Sequence, residues 1–350
     1  MRSCHFLRGM FYALLLAALA CVIGCGRSST PAGTQPAGTG AAAPAGSDFK
    51  VALVTSGPTS DNGWNAAAYT GLQEIKDQLV AQVANVEAPT SGEQADNLRQ
   101  YAAKGYNIVI GHGAEYETPA LQMESDFPKT LFVISSGRKV GKNTTPIVLQ
   151  LEDGAYLLGM LAGGMSKTGK IGAVGAEKIV PLESTFKAYE AGAKAVNPNI
   201  TVEPVYTGSW DDVGKAKQAT LALIDQGADV VIEDLDAAAP GVFQAVQERN
   251  KADKPVYALG TNSDENGAAP DVVLASAPID VGKAFVIIAQ QVKAGTFKPN
   301  DKPFGMPSGV IGFVLNPQLE AKLPADLKAK LTDMQQKITS GAFTVPKVSS

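Results

Sequence analysis

From Lys50 onward the chain repeats one pattern in two successive series: a short apolar run, a polar loop, then an amphipathic stretch of helical period. Residues 50–55 read as a buried strand, after which Trp64, Ala68, Leu72, Ile75 and Leu79 recur at helical spacing. Residues 83–86 read as a second strand, 94–104 as a helix stopped by Gly105, and 107–111, 131–135 and 147–151 as further strands. The second series places strands at 170–174, 201–205, 228–232, 256–259 and 272–276, and helices at 185–196, 216–226, 239–249 and 281–294. Continuous apolar strands alternating with helices predict parallel sheets covered on both faces. The two series together span about 300 residues, more than one core usually serves. They predict an α/β protein of two doubly wound lobes, with a single eight-stranded barrel as the runner-up architecture.

Ahead of this lies a leader. Arg2 and Arg8 form a cationic segment, residues 10–23 an apolar run, and Val22-Ile23-Gly24-Cys25 resembles a bacterial lipobox. The run is shorter than the roughly 20 residues a membrane span needs but suits a signal peptide. Residues 1–25 are therefore expected to be a lipoprotein signal peptide and Cys25 the lipidated first residue of the mature chain. Ordinary cleavage, or cleavage before Cys21 after Ala18-Leu19-Ala20, is the alternative. Residues 26–47, built of Gly, Ser, Thr, Pro and Ala with Arg27 as the one charge in 26–46, cannot bury enough apolar surface to order themselves and read as a flexible tether.

Composition narrows the function classes. All three cysteines (Cys4, Cys21, Cys25) lie in the leader, so no disulfide is expected in the folded part. Removing Arg2 and Arg8 takes the formal charge from −4 to −6, and no Lys/Arg cluster occurs, which argues against nucleic acid as a partner. The mature chain has one histidine, His112, and no carboxylates at metal spacing, so neither a metal nor a cofactor is expected. Gly169-x-x-Gly172-x-x-Gly175 does not follow the dinucleotide pattern, Ser166-Lys-Thr-Gly is no phosphate loop, and no Gly-x-Ser-x-Gly elbow is present. No catalytic residues are expected.

In open parallel sheets ligands bind beyond the carboxyl ends of the strands. The loops there run Ser56-Gly-Pro-Thr-Ser-Asp61-Asn62-Gly63-Trp64-Asn65 and Gly111-His112-Gly113-Ala-Glu115-Tyr116 in the first series. In the second they run Gly208-Ser-Trp210-Asp-Asp212, Glu233-Asp-Leu-Asp236 and Gly260-Thr-Asn262-Ser-Asp264. Aromatic residues that can stack on a flat ring thus recur beside carboxylates and amides that can accept its N–H groups. Each has a plainer reading. Trp64 is in phase with the apolar face of its helix, Asp61 or Ser60 can be a helix cap, Asp234 and Asp236 suit a solvated turn, and His112 suits a loop hydrogen-bond donor near the cleft.

These residues resemble the basic membrane protein family of substrate-binding lipoproteins of ABC importers, which includes the purine nucleoside receptor. The family's Asp-Lys-Ser-Phe-Asn loop is matched by Asp61-Asn62-Gly63-Trp64-Asn65. Its mid-chain signature is matched by 155–159, 166–172, 208–212 and 225–230, and its Gly-Val-Asp-Ser-Asp-Gln by Gly260-Thr-Asn-Ser-Asp-Glu265. The resemblance covers roughly residues 48–315. It implies a periplasmic binding protein of type I, with a hinge joining an N-terminal lobe (48–150 and 277–303) to a C-terminal lobe (151–276 and 304–350). It also implies Trp64 and Trp210 as a purine-stacking pair, with Asp61, Asn65 and Asp264 as hydrogen-bonding residues. Asn62, His112, Tyr116, Asp236 and Asn262 complete the candidate ligand site. Where the family carries a lysine linked to ribose recognition this chain has Ile279, so a free base or another small heterocycle is as plausible as a nucleoside. The expected function is that of a lipid-anchored, extracytoplasmic receptor that closes over a purine base or nucleoside and hands it to an ABC permease. A sensory lipoprotein of the same fold is the alternative, and a periplasmic nucleoside hydrolase a third.

Overall fold

Residues 48–60, 63–251 and 253–346 are described by the computed structural model. The leader with Cys25, the tether, Asp61 and Asn62 lie outside the described residues.

The apolar run at the start of the first series forms β1 (Lys50–Thr55), buried from Val51 onward, at the interior of a five-stranded sheet. Its neighbours are β2 (Gln82–Glu87) and β3 (Ile108–His112), followed by β4 (Leu131–Ser135) and β5 (Thr144–Ile147), in the order β2-β1-β3-β4-β5. Every pairing is parallel. The second series repeats this winding: β6 (Lys170–Gly175), β7 (Thr201–Tyr206), β8 (Val230–Asp234), β9 (Tyr257–Asn262) and β10 (Val273–Pro278) stand in the order β10-β9-β8-β6-β7. A short β11 (Val314–Leu315) adds the one antiparallel edge beyond β10. Two separate open sheets replace the barrel alternative and give two α/β lobes. The edge strands β2 and β7 are only partly covered, which is why they carry Gln82, Glu87 and Glu203 where interior strands are apolar.

The helices are α1 (Trp64–Leu79), α2 (Ser91–Ala103), α3 (Glu117–Met123), α4 (Glu152–Met165), α5 (Val180–Val196), α6 (Val213–Asp225), α7 (Ala239–Arg249), α8 (Val281–Lys293) and α9 (Ala325–Thr339). Several begin earlier than the apolar periodicity suggests, because caps and not core residues set helix starts. α2 opens with a reciprocal capping box, Thr90 Oγ1 accepting from the Glu93 amide at 3.3 Å and Glu93 Oε2 from the Thr90 amide at 3.0 Å. The strand expected at 147–151 ends instead at Ile147, and Leu149 leaves the sheet to form an isolated parallel bridge with Phe304.

α4 has no polar face to betray it. It is buried almost throughout from Asp153 to Met165, packed against α5 and α9. Gly159 and Gly192 let α4 and α5 touch backbone to backbone: a Cβ on Gly159 would lie 1.9 Å from the Tyr189 carbonyl oxygen, and one on Gly192 equally close to that of Tyr156. α8 leaves the second sheet after β10 and packs on α1 of the first lobe, where a Cβ on Gly71 would lie 2.2 Å from the Gly282 Cα. The chain then returns past Phe304, whose amide donates to the Val148 carbonyl. There the buried Asp153 carboxylate holds Gln150 Nε2 at 2.8 Å and the Met306 amide at 2.9 Å.

Candidate functional site

The carboxyl ends of the first sheet converge on His112, the last residue of β3. Its side chain is fully buried and makes two defined hydrogen bonds, with Ser135 Oγ at the end of β4 (2.9 Å) and with the Trp64 carbonyl (3.0 Å). A carbonyl oxygen can only accept, so the ring nitrogen facing Trp64, Nε2, carries a proton, while Nδ1 shares a hydrogen bond with the Ser135 hydroxyl. The Trp64 indole lies over this imidazole, ring centroids 4.2 Å apart and 23° from parallel, while Phe285 of α8 meets the imidazole edge-on at 5.9 Å. His112 is thereby a pedestal, reached at the end of a strand and not in a loop: it holds one face of a half-buried indole at the first turn of α1.

α1 begins at Trp64 with Gly63 at its N-cap position, and Asp61, one of the two expected caps, lies outside the described residues. Against this helix end comes a carboxylate from the other lobe. A Cβ on Gly63 would lie 2.7 Å from Asp236 Oδ1, an approach that only glycine permits and that the positive end of the helix favours. Asn65, one residue into the helix, packs its amide over Gly57.

The second sheet ends in a buried acidic pair. Glu233 is fully buried and accepts from the Thr261 amide (2.6 Å) and the Leu235 amide (2.9 Å), while Asp234 is 3 % exposed. Burial raises both carboxyls. For Asp234 the result is about 7, offset in part by the nearby side chains of Asn262, Thr185 and Thr261. For Glu233 burial raises the carboxyl well above the usual range, the two amide hydrogen bonds oppose that rise, and the charges of Asp234 and Glu265 add to it. Asp234 lines a small, partly open cavity with Thr185, Thr261, Asn262 and the apolar side chains of Ala155, Ala277 and Ile279. Asn262 reaches its place through a left-handed backbone (φ 63°), a conformation asparagine tolerates, and donates from Nδ2 to the Leu235 carbonyl at 2.7 Å.

Trp64, Asn65 and Asp236 thus come together where the lobes meet, and Asn262 lines the cavity, as does Ile279. Trp210 is half-buried and leans partly on the outer core of the second lobe, its carbonyl bound by the Ala238 amide. Asp264 is exposed and caps the turn that follows it, accepting from the Asn266 amide at 3.1 Å. Tyr116 is a correction to the sequence reading. Its ring is fully buried over Gly111, in an outer core with Val54, Val109 and Phe132, because the chain turns inward directly after Gly113. Asp234, expected in a solvated turn, is a second correction: the strand predicted to end at residue 232 continues two residues further and carries both carboxylates into the interior. Two acids closing an otherwise apolar parallel strand were the available sign of it.

Among the described residues no group of three His, Cys, Asp or Glu side chains could hold a metal ion, and no helix is long and apolar enough to cross a membrane. Residues 49–349 match the family described as ABC transporter substrate-binding protein, PnrA-like. A purine-binding protein of Brucella abortus is 28 % identical over 313 residues, covering 88 % of this chain and 86 % of the relative. Basic membrane protein A2 of Borrelia garinii is 26 % identical over 303 residues, covering 85 % and 88 %. The structure of an ABC transporter solute-binding protein from Conexibacter woesei superposes with a TM-score of 0.70 at 26 % identity, over 85 % of this chain and 99 % of that one.

Proposed function

Since the chain belongs to the Bmp family of PnrA-like ABC transporter substrate-binding proteins, we propose that it is a lipid-anchored receptor that binds a purine base or a similar small heterocycle between its lobes and delivers it to an ABC permease. The observation that carries this reading is the indole of Trp64 held flat on a buried imidazole pedestal at the carboxyl edge of the first sheet. A ring so fixed loses little freedom when a ligand stacks on its other face, and stacking of a base on an aromatic side chain is worth ~1–3 kcal/mol. The purine-binding relative from Brucella abortus supports the same ligand class.

The lobes, joined by crossings near residues 150, 279 and 305, close as the ligand bridges them, and no bond is made or broken. Trp210 supplies the second aromatic face from the other lobe, with Asn65, Asn262, Asp264 and the undescribed Asp61 and Asn62 offering acceptors and donors. Ile279 lines the cavity where a lysine would read a ribose, so bases are favoured over nucleosides. Acylation at Cys25 keeps the receptor at the outer face of a membrane, since two or more acyl chains at ~0.8 kcal/mol per buried CH₂ give stable attachment.

A thermal-shift screen of purines, pyrimidines and nucleosides on residues 48–350 tests the reading, with calorimetry on the hits. Binding of a free base at least as tight as its nucleoside, accompanied by a saturable change in tryptophan fluorescence, is the expected result. Trp210→Ala is expected to weaken that binding by ~1–3 kcal/mol. Silent tryptophans on demonstrated binding, or a hundredfold preference for the nucleoside, would contradict it.

A further inference from the structure

The cavity at the carboxyl end of the second sheet is built unlike a site for an anion or for a neutral acceptor. Its floor holds Asp234, nine-tenths buried and more, with no basic side chain acting on it. Beside it lies the Thr261 hydroxyl, on a residue 7 % exposed, close enough to act on the Asp234 carboxyl and without a well-formed hydrogen bond to any other group. A buried carboxylate without a counter-ion and a buried hydroxyl with an incomplete set of hydrogen bonds each cost free energy that a complementary ligand group would recover. The walls are apolar: Ala155, Ala277, Ile279 and Ile311 leave no other charge to satisfy.

We infer that Asp234 and Thr261 form a donor-reading subsite, which takes an exocyclic amino group or protonated ring nitrogen of the ligand and rejects phosphate and carboxylate groups. This rests on the heterocycle-receptor reading above and adds the chemical edge by which the heterocycle is selected. The carboxylate accepts two N–H bonds, Thr261 Oγ1 supplies a third acceptor or turns its hydroxyl to a ring nitrogen, and Asn262, fixed in its left-handed turn by Leu235, closes the side of the pocket. An anionic substituent entering here would face the Asp234 carboxylate in a buried pocket whose lining offers no cation to offset it.

Adenine serves as the probe, because it carries an exocyclic amino group and stays neutral between pH 6 and 8. Calorimetry on the wild-type protein, Asp234→Asn and Thr261→Val is expected to show roughly 10- to 100-fold weaker adenine binding for Asp234→Asn and a smaller loss for Thr261→Val. Wild-type affinity should rise about tenfold from pH 6 to pH 8 as the carboxyl ionises, and the rise should vanish in Asp234→Asn. Titratable neighbours are Glu233 on the same strand and Tyr206 on β7, with Glu265 and Glu183 beyond them. Beyond burial, the charge of Asp234 raises both Glu233 and Tyr206 in part, so Glu233→Gln is measured alongside: the rise with pH should persist in Glu233→Gln and vanish in Asp234→Asn. Adenine binding with equal affinity and equal pH dependence in wild type and Asp234→Asn overturns the subsite while leaving the receptor reading intact. Absence of binding by every base tried overturns both.

Discussion

Asp236 and Gly63 meet across the cleft, a carboxylate of one lobe set against the N-terminus of the first helix of the other, at a distance that leaves no room for a Cβ. The contact sets a side-chain carboxylate against the fixed partial positive charge of a helix start.

Gly63→Ala should therefore hold the lobes apart. The added methyl would stand 2.7 Å from Asp236 Oδ1, so either the carboxylate or the whole lobe must shift. Small-angle scattering is expected to show a larger radius of gyration, and base binding to weaken at least fivefold, about 1 kcal/mol. Unchanged scattering together with unchanged affinity would remove this contact from the closing mechanism.

The pedestal beneath Trp64 makes its own demand. His112→Ala leaves a cavity under the indole and strips Ser135 of its partner, and is expected to cost ~2–4 kcal/mol of stability in urea unfolding. A shift in the tryptophan emission should accompany it even without ligand. A stable variant with wild-type emission would mean that the indole needs no support.

Burial raises the Asp234 carboxyl from an ordinary 3.8 to about 7, so between those values the folded protein retains a proton that the unfolded chain has released. This group's contribution to stability is thus full below pH 3.8 and is lost as the pH rises to about 7. Glu233 is shifted in the same direction. Asp234→Asn abolishes the loss, so its melting temperature relative to wild type should increase from pH 5 to pH 8. A constant difference over that range would refute it.

Gly159→Ala tests the seam between α4 and α5. A methyl group there collides with the Tyr189 backbone, which cannot rotate away, and an overpacking penalty of ~1–3 kcal/mol or more is expected. The urea midpoint should fall with the slope unchanged; a midpoint within error of wild type would show that the seam yields.

Interior strands were legible in the sequence because burial on both faces makes them continuously apolar, as in β1 and β3. α4 was not, since a helix buried all round has no period to detect, and neither was α9, where Leu327, Leu331 and Ile338 are the few buried residues of a largely exposed surface helix. At the site, the family resemblance singled out Asn65 and Asp236, whereas position after a strand drew attention to the loop of Trp64. It misplaced Tyr116, because the residues after a strand can turn into the outer core as readily as toward the cleft. It also passed over Asp234, because an acid's usual preference for water hides the case in which a strand carries it inside.

The packing of α8 on α1 has a consequence in time. Phe285 is buried in the first lobe against His112, and Gly282 seats against Gly71, so a lobe begun at residue 48 lacks part of its interior until more than two hundred further residues have been synthesised. During synthesis the first lobe can be at most a partly collapsed intermediate while the second sheet is still being completed. The order of folding is thereby tied to the order of the chain: the pedestal under Trp64 is finished late, and an empty stacking face is not displayed until both sheets exist.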